Sequence, residues 1–96
     1  MKVFIDGRMI KNESDLHLIL SSKLDFGPYY GKNLDALWDS LSDVERPVEL
    51  IWQYEAATRK HLGSELFDKV VHILQKMQDY DISCGWQEKF SVVIDE

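Results

Sequence analysis

Residues 47–63, "PVELIWQYEAATRKHLG", decide the fold, because they set a strand pattern directly before a helix pattern. "VELIWQ" (48–53) has the β-branched and aromatic enrichment of a central strand, and Pro47 stands at its entrance, where a missing N–H is tolerated. "YEAATRKHLG" (54–63) reads as a short helix whose Gly63 suits the left-handed residue after a helix end. Working outward, "KVFI" (2–5) reads as a buried strand ended by "DG", and "KFSVVI" (89–94) as a last strand. "NESDLHLILSSKL" (12–24) begins with cap-type Asn12 or Ser14 and spaces Leu16, Leu20 and Leu24 four apart, which predicts a helix over 14–24. "DFGPYYGK" (25–32) is a loop with special backbone needs, and Asn33 is the N-cap of a helix from 34 to about 42. "SELFDKVVHILQKMQDY" (64–80) carries the strongest helical period of the chain, and "DISCGWQ" (81–87) is ambiguous. Strand, helices, strand, helices, strand favours parallel pairing with crossover helices. The expected class is α/β, a three-stranded parallel sheet with about four helices, in one domain over residues 1–96.

Composition excludes several functions. Seventeen acids against eleven bases give a net charge of -6, which argues against nucleic-acid and anionic-membrane surfaces, since both require clustered Lys and Arg. A basic protein partner is favoured instead. The lone Cys84 has no internal disulfide partner, and no Cys and His grouping has zinc-ligand spacing, so no metal or other cofactor is expected and a cytoplasmic address fits best. The start, "MKVFIDGRMI", is cut by Asp6 and Arg8, so it reads neither as a signal peptide nor as a membrane span. No Gly-rich phosphate loop follows a strand.

The chemistry concentrates in "YYGKNLDALWDSLSD" (29–43). At about 100° per residue, Leu34, Leu37 and Leu41 share one side of a helix while Asp35, Asp39 and Asp43 share a neighbouring one, with Trp38 at the border. Like charges four apart cost roughly 0.2–0.5 kcal/mol per pair, and from Asn33 to Glu45 no Lys or Arg relieves them. Charge alone favours a plain solvated face, with Asp35 gaining from the helix dipole. The aromatics point elsewhere, because Tyr29, Tyr30 and Trp38 beside carboxylates suit a protein interface. For Tyr30 and Trp38, packing is as good an account as contact. A glycosidase-like use of Asp35 and Asp39 lacks the concave pocket that would drive two carboxyl pKa values apart.

The stretch Tyr29–Leu41, "YYGKNLDALWDSL", resembles the signature of the barstar family without a gap, and the likeness extends more loosely over roughly the first 55 residues. Barstars are intracellular inhibitors of the secreted ribonuclease barnase. The resemblance implies a three-stranded parallel sheet covered by helices, a chain that is not an enzyme, and a small basic barnase-like ribonuclease as partner of a free monomer. It implies that Asp39 enters a phosphate-binding pocket, that Asp35 is a second acidic contact, and that Tyr29 covers a catalytic histidine. Asn33 and Trp38 match interface-proximal positions, Tyr30 and Leu34 loop and core, His17 a core histidine, and Pro47 a position whose peptide bond is cis. A ribonuclease site holds phosphates with Arg, Lys and His, so carboxylates on a helix can stand in for the phosphate.

The departures are specific. Where the prototype has Gly-Trp after the motif, this chain has Asp43 and Val44 and is one residue shorter before Pro47, so an aromatic contact is lost and a charge gained. Glu45 replaces the prototype's loop acid. The stretch Lys69–Gln78 holds no acid where the prototype's last helix supplies one, and offers His72, Gln75 and Lys76 instead. The segment Ser83–Lys89 is an insertion with no assigned role. His61 and His72 read as exposed helical surface and Cys84 as a small loop or core residue. The rival reading is a barstar-fold interaction module that binds a basic protein other than a ribonuclease.

Overall fold

Residues 1–95 are described by a computed structural model. Its sheet follows from alternation: Val48, Leu50 and Trp52 are buried while Glu49, Ile51 and Gln53 are half-buried, so strand β2 (Val48–Gln53) sends every second side chain into the core. Strand β1 (Lys2–Asp6) and strand β3 (Phe90–Ile94) flank it, both parallel to it, in the order β1-β2-β3. The expected central strand is central.

Four α-helices complete the class read from the sequence: α1 (Glu13–Leu24), α2 (Leu34–Asp43), α3 (Glu55–Leu62) and α4 (Ser64–Ser83). Asn12 caps α1 by accepting from the N–H of Asp15, and Asn33 caps α2 by accepting from that of Ala36 at 2.7 Å. A 3-10 turn at Gly7–Met9, not foreseen from "DGRM", follows β1. No helix among the described residues is long and apolar enough to cross a membrane.

One core holds these elements together. Ile5, Ile10, Leu16, Leu20, Leu37, Leu41, Leu50, Trp52, Phe67, Leu74 and Phe90 are all fully buried. The register that aligns Val3, Leu50 and Val92 on the covered side puts Phe4, Ile51 and Val93 in one row on the other, where Phe4 is 47% and Val93 48% exposed. The helices therefore cover one face of the sheet, although parallel sheets usually bury both.

Two joints fix the chain's direction. Trp52 Nε1 donates to Thr58 Oγ1 and Thr58 Oγ1 donates to the carbonyl of Gly7, each at 3.0 Å and buried, which ties β2, α3 and the end of β1. Gly7 is needed there because a Cβ would stand 2.5 Å from the Gln53 carbonyl, and it would also meet Thr58 Oγ1. Gly63 ends α3 and opens α4, but at φ 85, ψ 147 rather than the left-handed conformation that its place at a helix end suggested. That region is almost closed to residues with a Cβ. The Arg46–Pro47 bond is cis.

Candidate functional site

Helix α2 starts on the cap of Asn33 and buries Leu37 and Leu41, and that orientation turns its acids outward. The loop before it is held by Tyr30, whose hydroxyl lies 2.6 Å from Nδ1 of buried His17 and whose ring packs on Phe26. Nε2 of His17 lies 3.3 Å from Glu13. A carboxylate only accepts, so in the neutral imidazole Nε2 donates to Glu13 and Nδ1 accepts from the Tyr30 hydroxyl. Burial, with the Glu13 charge beside it, pushes the Tyr30 phenol up to about 12. Tyr30 and His17 are thus packing partners, and Tyr29 next to them is 96% exposed.

Asp35 and Asp39 line a shallow groove of about 410 Å³ between α2 and α4, shared with Leu34, Trp38, His72, Ile73 and Lys76. Neither carboxylate forms an ion pair or accepts a side-chain hydrogen bond among the described residues. The third rung is elsewhere: Asp43 borders a separate hollow of about 80 Å³ with Asp25, Phe26, Ser40 and Val44. Glu45 lies exposed in the loop after the helix. The structure therefore groups Asp35, Asp39 and Trp38, sets Tyr29 and Asn33 at the N-terminal end of the same helix, and separates Asp43 and Glu45 toward its C-terminal end.

No base attends the acids within Asn33–Glu45, as read, and two of the residues read as replacing the prototype's last-helix acid, His72 and Lys76, stand on the other wall of the groove. Lys76 of α4 places Nζ 5.3 Å from the centroid of the Trp38 ring, on the wall of the same groove.

Sequence reasoning also missed what fastens the far end of α2. No basic residue occupies its last turn. Arg46 folds back instead and donates to the carbonyls of Leu41, Ser42 and Val44, at 2.9, 3.2 and 2.6 Å. The same guanidinium meets the carboxylate of Asp81 in α4, which also accepts from the N–H of Phe90 at 2.7 Å. Asp81 follows buried Met77 by four residues on the apolar stripe of α4, and an acid on a buried stripe is the one signal in the sequence that called for a hidden cation.

The segment that follows α4 packs here too. Trp86 stands edge-on to Tyr80 at 6.4 Å, Tyr80 edge-on to Trp38 at 6.4 Å, and Arg46 lies 5.8 Å from the Trp86 ring. Cys84, which caps α4, is exposed, as are His61 and His72.

A three-stranded parallel sheet covered on one side by helices, with a helix capped by Asn33 that packs on α4 and exposes Asp35 and Asp39, defines a small α/β protein. A model of the family described as Barstar (barnase inhibitor) matches residues 1–94. A protein of Bacillus subtilis (strain 168) named "Putative ribonuclease inhibitor YrdF" is 38% identical over 95 residues, 98% of each chain. The chain belongs to the barstar family, which is one of inhibitors and not of enzymes.

Proposed function

We propose that this protein is an intracellular inhibitor, an immunity protein, of a small basic barnase-like ribonuclease, and that it works by setting α2 in the enzyme's active site. The observation that carries the reading is the pair of exposed carboxylates of Asp35 and Asp39, which have no partner among the described residues and share one groove with Trp38. In free water such a pair is mildly self-repelling. Against a phosphate-binding pocket of Arg, Lys and His the same pair replaces the anion that the enzyme is built to hold, and charge-assisted hydrogen bonds form without reorganisation of the helix.

The other roles follow from position. Tyr29, almost wholly exposed beside the N-terminus of α2, covers the partner's catalytic histidine. Asn33 donates from Nδ2 to the Gly31 carbonyl at 3.4 Å and keeps its second amide hydrogen for the partner at the same end, while its side-chain oxygen is occupied by the cap. Asp43 and Glu45 extend the anionic surface toward the rim. The family membership and the relative named as a ribonuclease inhibitor support this reading. Residues 1–96 act as one domain, monomeric when free and cytoplasmic.

The test is a pull-down with the purified protein from lysate and medium of the source cell, followed by ribonuclease assays on the captured partner with and without the inhibitor. Dose-dependent loss of RNA cleavage supports the proposal. Capture of a basic protein without ribonuclease activity would transfer the same acidic surface to the rival interaction-module reading.

A further inference from the structure

The groove that holds Asp35 and Asp39 is not uniformly anionic. Its second wall is α4, and along that wall the side chains facing the acids are Lys76, His72 and the half-buried Ile73. Lys76 is held there by the face of Trp38, 5.3 Å from its Nζ, and forms no ion pair with a carboxylate among the described residues. Lys69, the other α4 lysine, is by contrast engaged with Glu65 at 3.7 Å on its own helix. A cation fixed over an aromatic ring beside two carboxylates has a definite electrostatic meaning for anything that docks. A base entering from the α2 side meets Asp35 and Asp39, whereas a base arriving from the α4 side meets Lys76.

We propose that Lys76 is a specificity-determining residue of the binding face: it disfavours partners that present a base opposite α4 and favours those that present a carboxylate there, beside the cationic pocket taken by Asp35 and Asp39. The inference rests on the inhibitor reading given above. A uniformly acidic face would accept any sufficiently basic active site, and a lysine on one wall removes part of that latitude. Like charges set against each other across an interface are the ordinary means by which a wrong partner is rejected.

The experiment uses the full chain and barnase as the probe, with association rates and affinities measured for the wild type, Lys76→Gln, Lys76→Glu, Asp39→Ala and Lys60→Glu. Lys60→Glu makes the same change of net charge as Lys76→Glu on exposed α3, away from the groove. Lys76→Glu is expected to bind barnase about tenfold more tightly than the wild type, and Lys76→Gln about threefold, while Lys60→Glu changes it less than twofold. Unchanged thermal midpoints confirm that Lys76 is not a fold determinant. If Lys76→Glu gains nothing over the wild type, or gains no more than Lys60→Glu, the proposal is overturned, and this holds also where no variant binds barnase. A loss at Asp39→Ala with no gain at Lys76→Glu removes only the role of Lys76. Binding that is indifferent to Asp39→Ala removes the active-site reading itself.

Discussion

The guanidinium of Arg46 and the carboxylate of Asp81 meet through hydrogen bonds of 3.0 and 3.2 Å, although 35 residues separate them, and the pair fastens the C-terminal end of α2 to α4. Asp81 is fully buried and Arg46 is 11% exposed at its side chain, so each leaves an uncompensated charge if the other is removed. Asp81→Ala is expected to destabilise the protein by about 3–5 kcal/mol, since the N–H of Phe90 also loses its acceptor. Urea unfolding followed by circular dichroism checks this, and a loss under about 1 kcal/mol would show that water replaces the pair.

Tyr29 separates stability from binding. At 96% exposure it contributes little to the fold, so Tyr29→Ala should change the unfolding free energy by no more than about 0.5 kcal/mol. The same substitution should weaken the complex with the captured ribonuclease by more than about 1 kcal/mol. Calorimetric titration against parallel denaturation curves measures both, and an unchanged affinity would remove Tyr29 from the interface.

Asp39→Ala should weaken the complex more than the loss of any acid outside residues 29–45, for instance Glu88 in the loop before β3. The expected loss exceeds the ~2 kcal/mol of an interface hot spot, a scale for which the barnase complex is itself a standard example. Association should slow as salt rises, because steering between exposed charges is screened over about 10 Å at 0.1 M ionic strength. Equal losses at Asp39 and Glu88 would mean that net charge alone drives binding.

Tyr30 gives the protein an alkaline limit. Its phenol ionises at about 12 in the folded chain against the ordinary 10.0, because burial disfavours the phenolate. The folded state then holds a proton that the unfolded state has released. Stability from this group is complete below pH 10 and declines as pH rises toward 12. Tyr30→Phe should flatten that decline, and it should lower stability by about 1–3 kcal/mol at neutral pH by leaving Nδ1 of His17 without its donor. Unfolding curves from pH 8 to 11.5 compare the two slopes.

Gly7→Ala tests the joint between β1 and α3. The added methyl must displace the Gln53 and Tyr54 carbonyls, both of which would lie within 2.6 Å, as well as the Thr58 hydroxyl that bonds Trp52. Destabilisation of at least about 1–3 kcal/mol is expected from the overpacking. A melting temperature within a degree of the wild type would show that the corner yields.

The order of elements was legible in the sequence because periodicity is local: Leu16, Leu20 and Leu24 announce α1 and the run 48–53 announces β2 without help from the rest of the chain. Helix α4 runs three residues past its expected end at Tyr80, since Asp81 is turned inward by a partner that periodicity cannot name. Gly63 was legible as a breaker but not in its conformation, because it serves two helices at once. At the candidate site, the residues of α2 were readable from "LDALWDSL". His72 and Lys76 of α4 were reached through the family resemblance and not through spacing, and the part played by Arg46 was not reached at all, because spacing within one element does not say which base of another will cross over to it.

The anchoring of α2 by Arg46 has a thermodynamic signature. A helix already held at both ends, by Asn33 and by Arg46, enters a complex with little freedom left to lose, so the ordering cost is met when the chain folds and not when the partner arrives. Association should accordingly show a heat-capacity change that matches rigid docking of the two surfaces, with no additional component from coupled folding. Releasing Arg46 should return that component, and an inhibitor weakened in this way would lose affinity most steeply on warming.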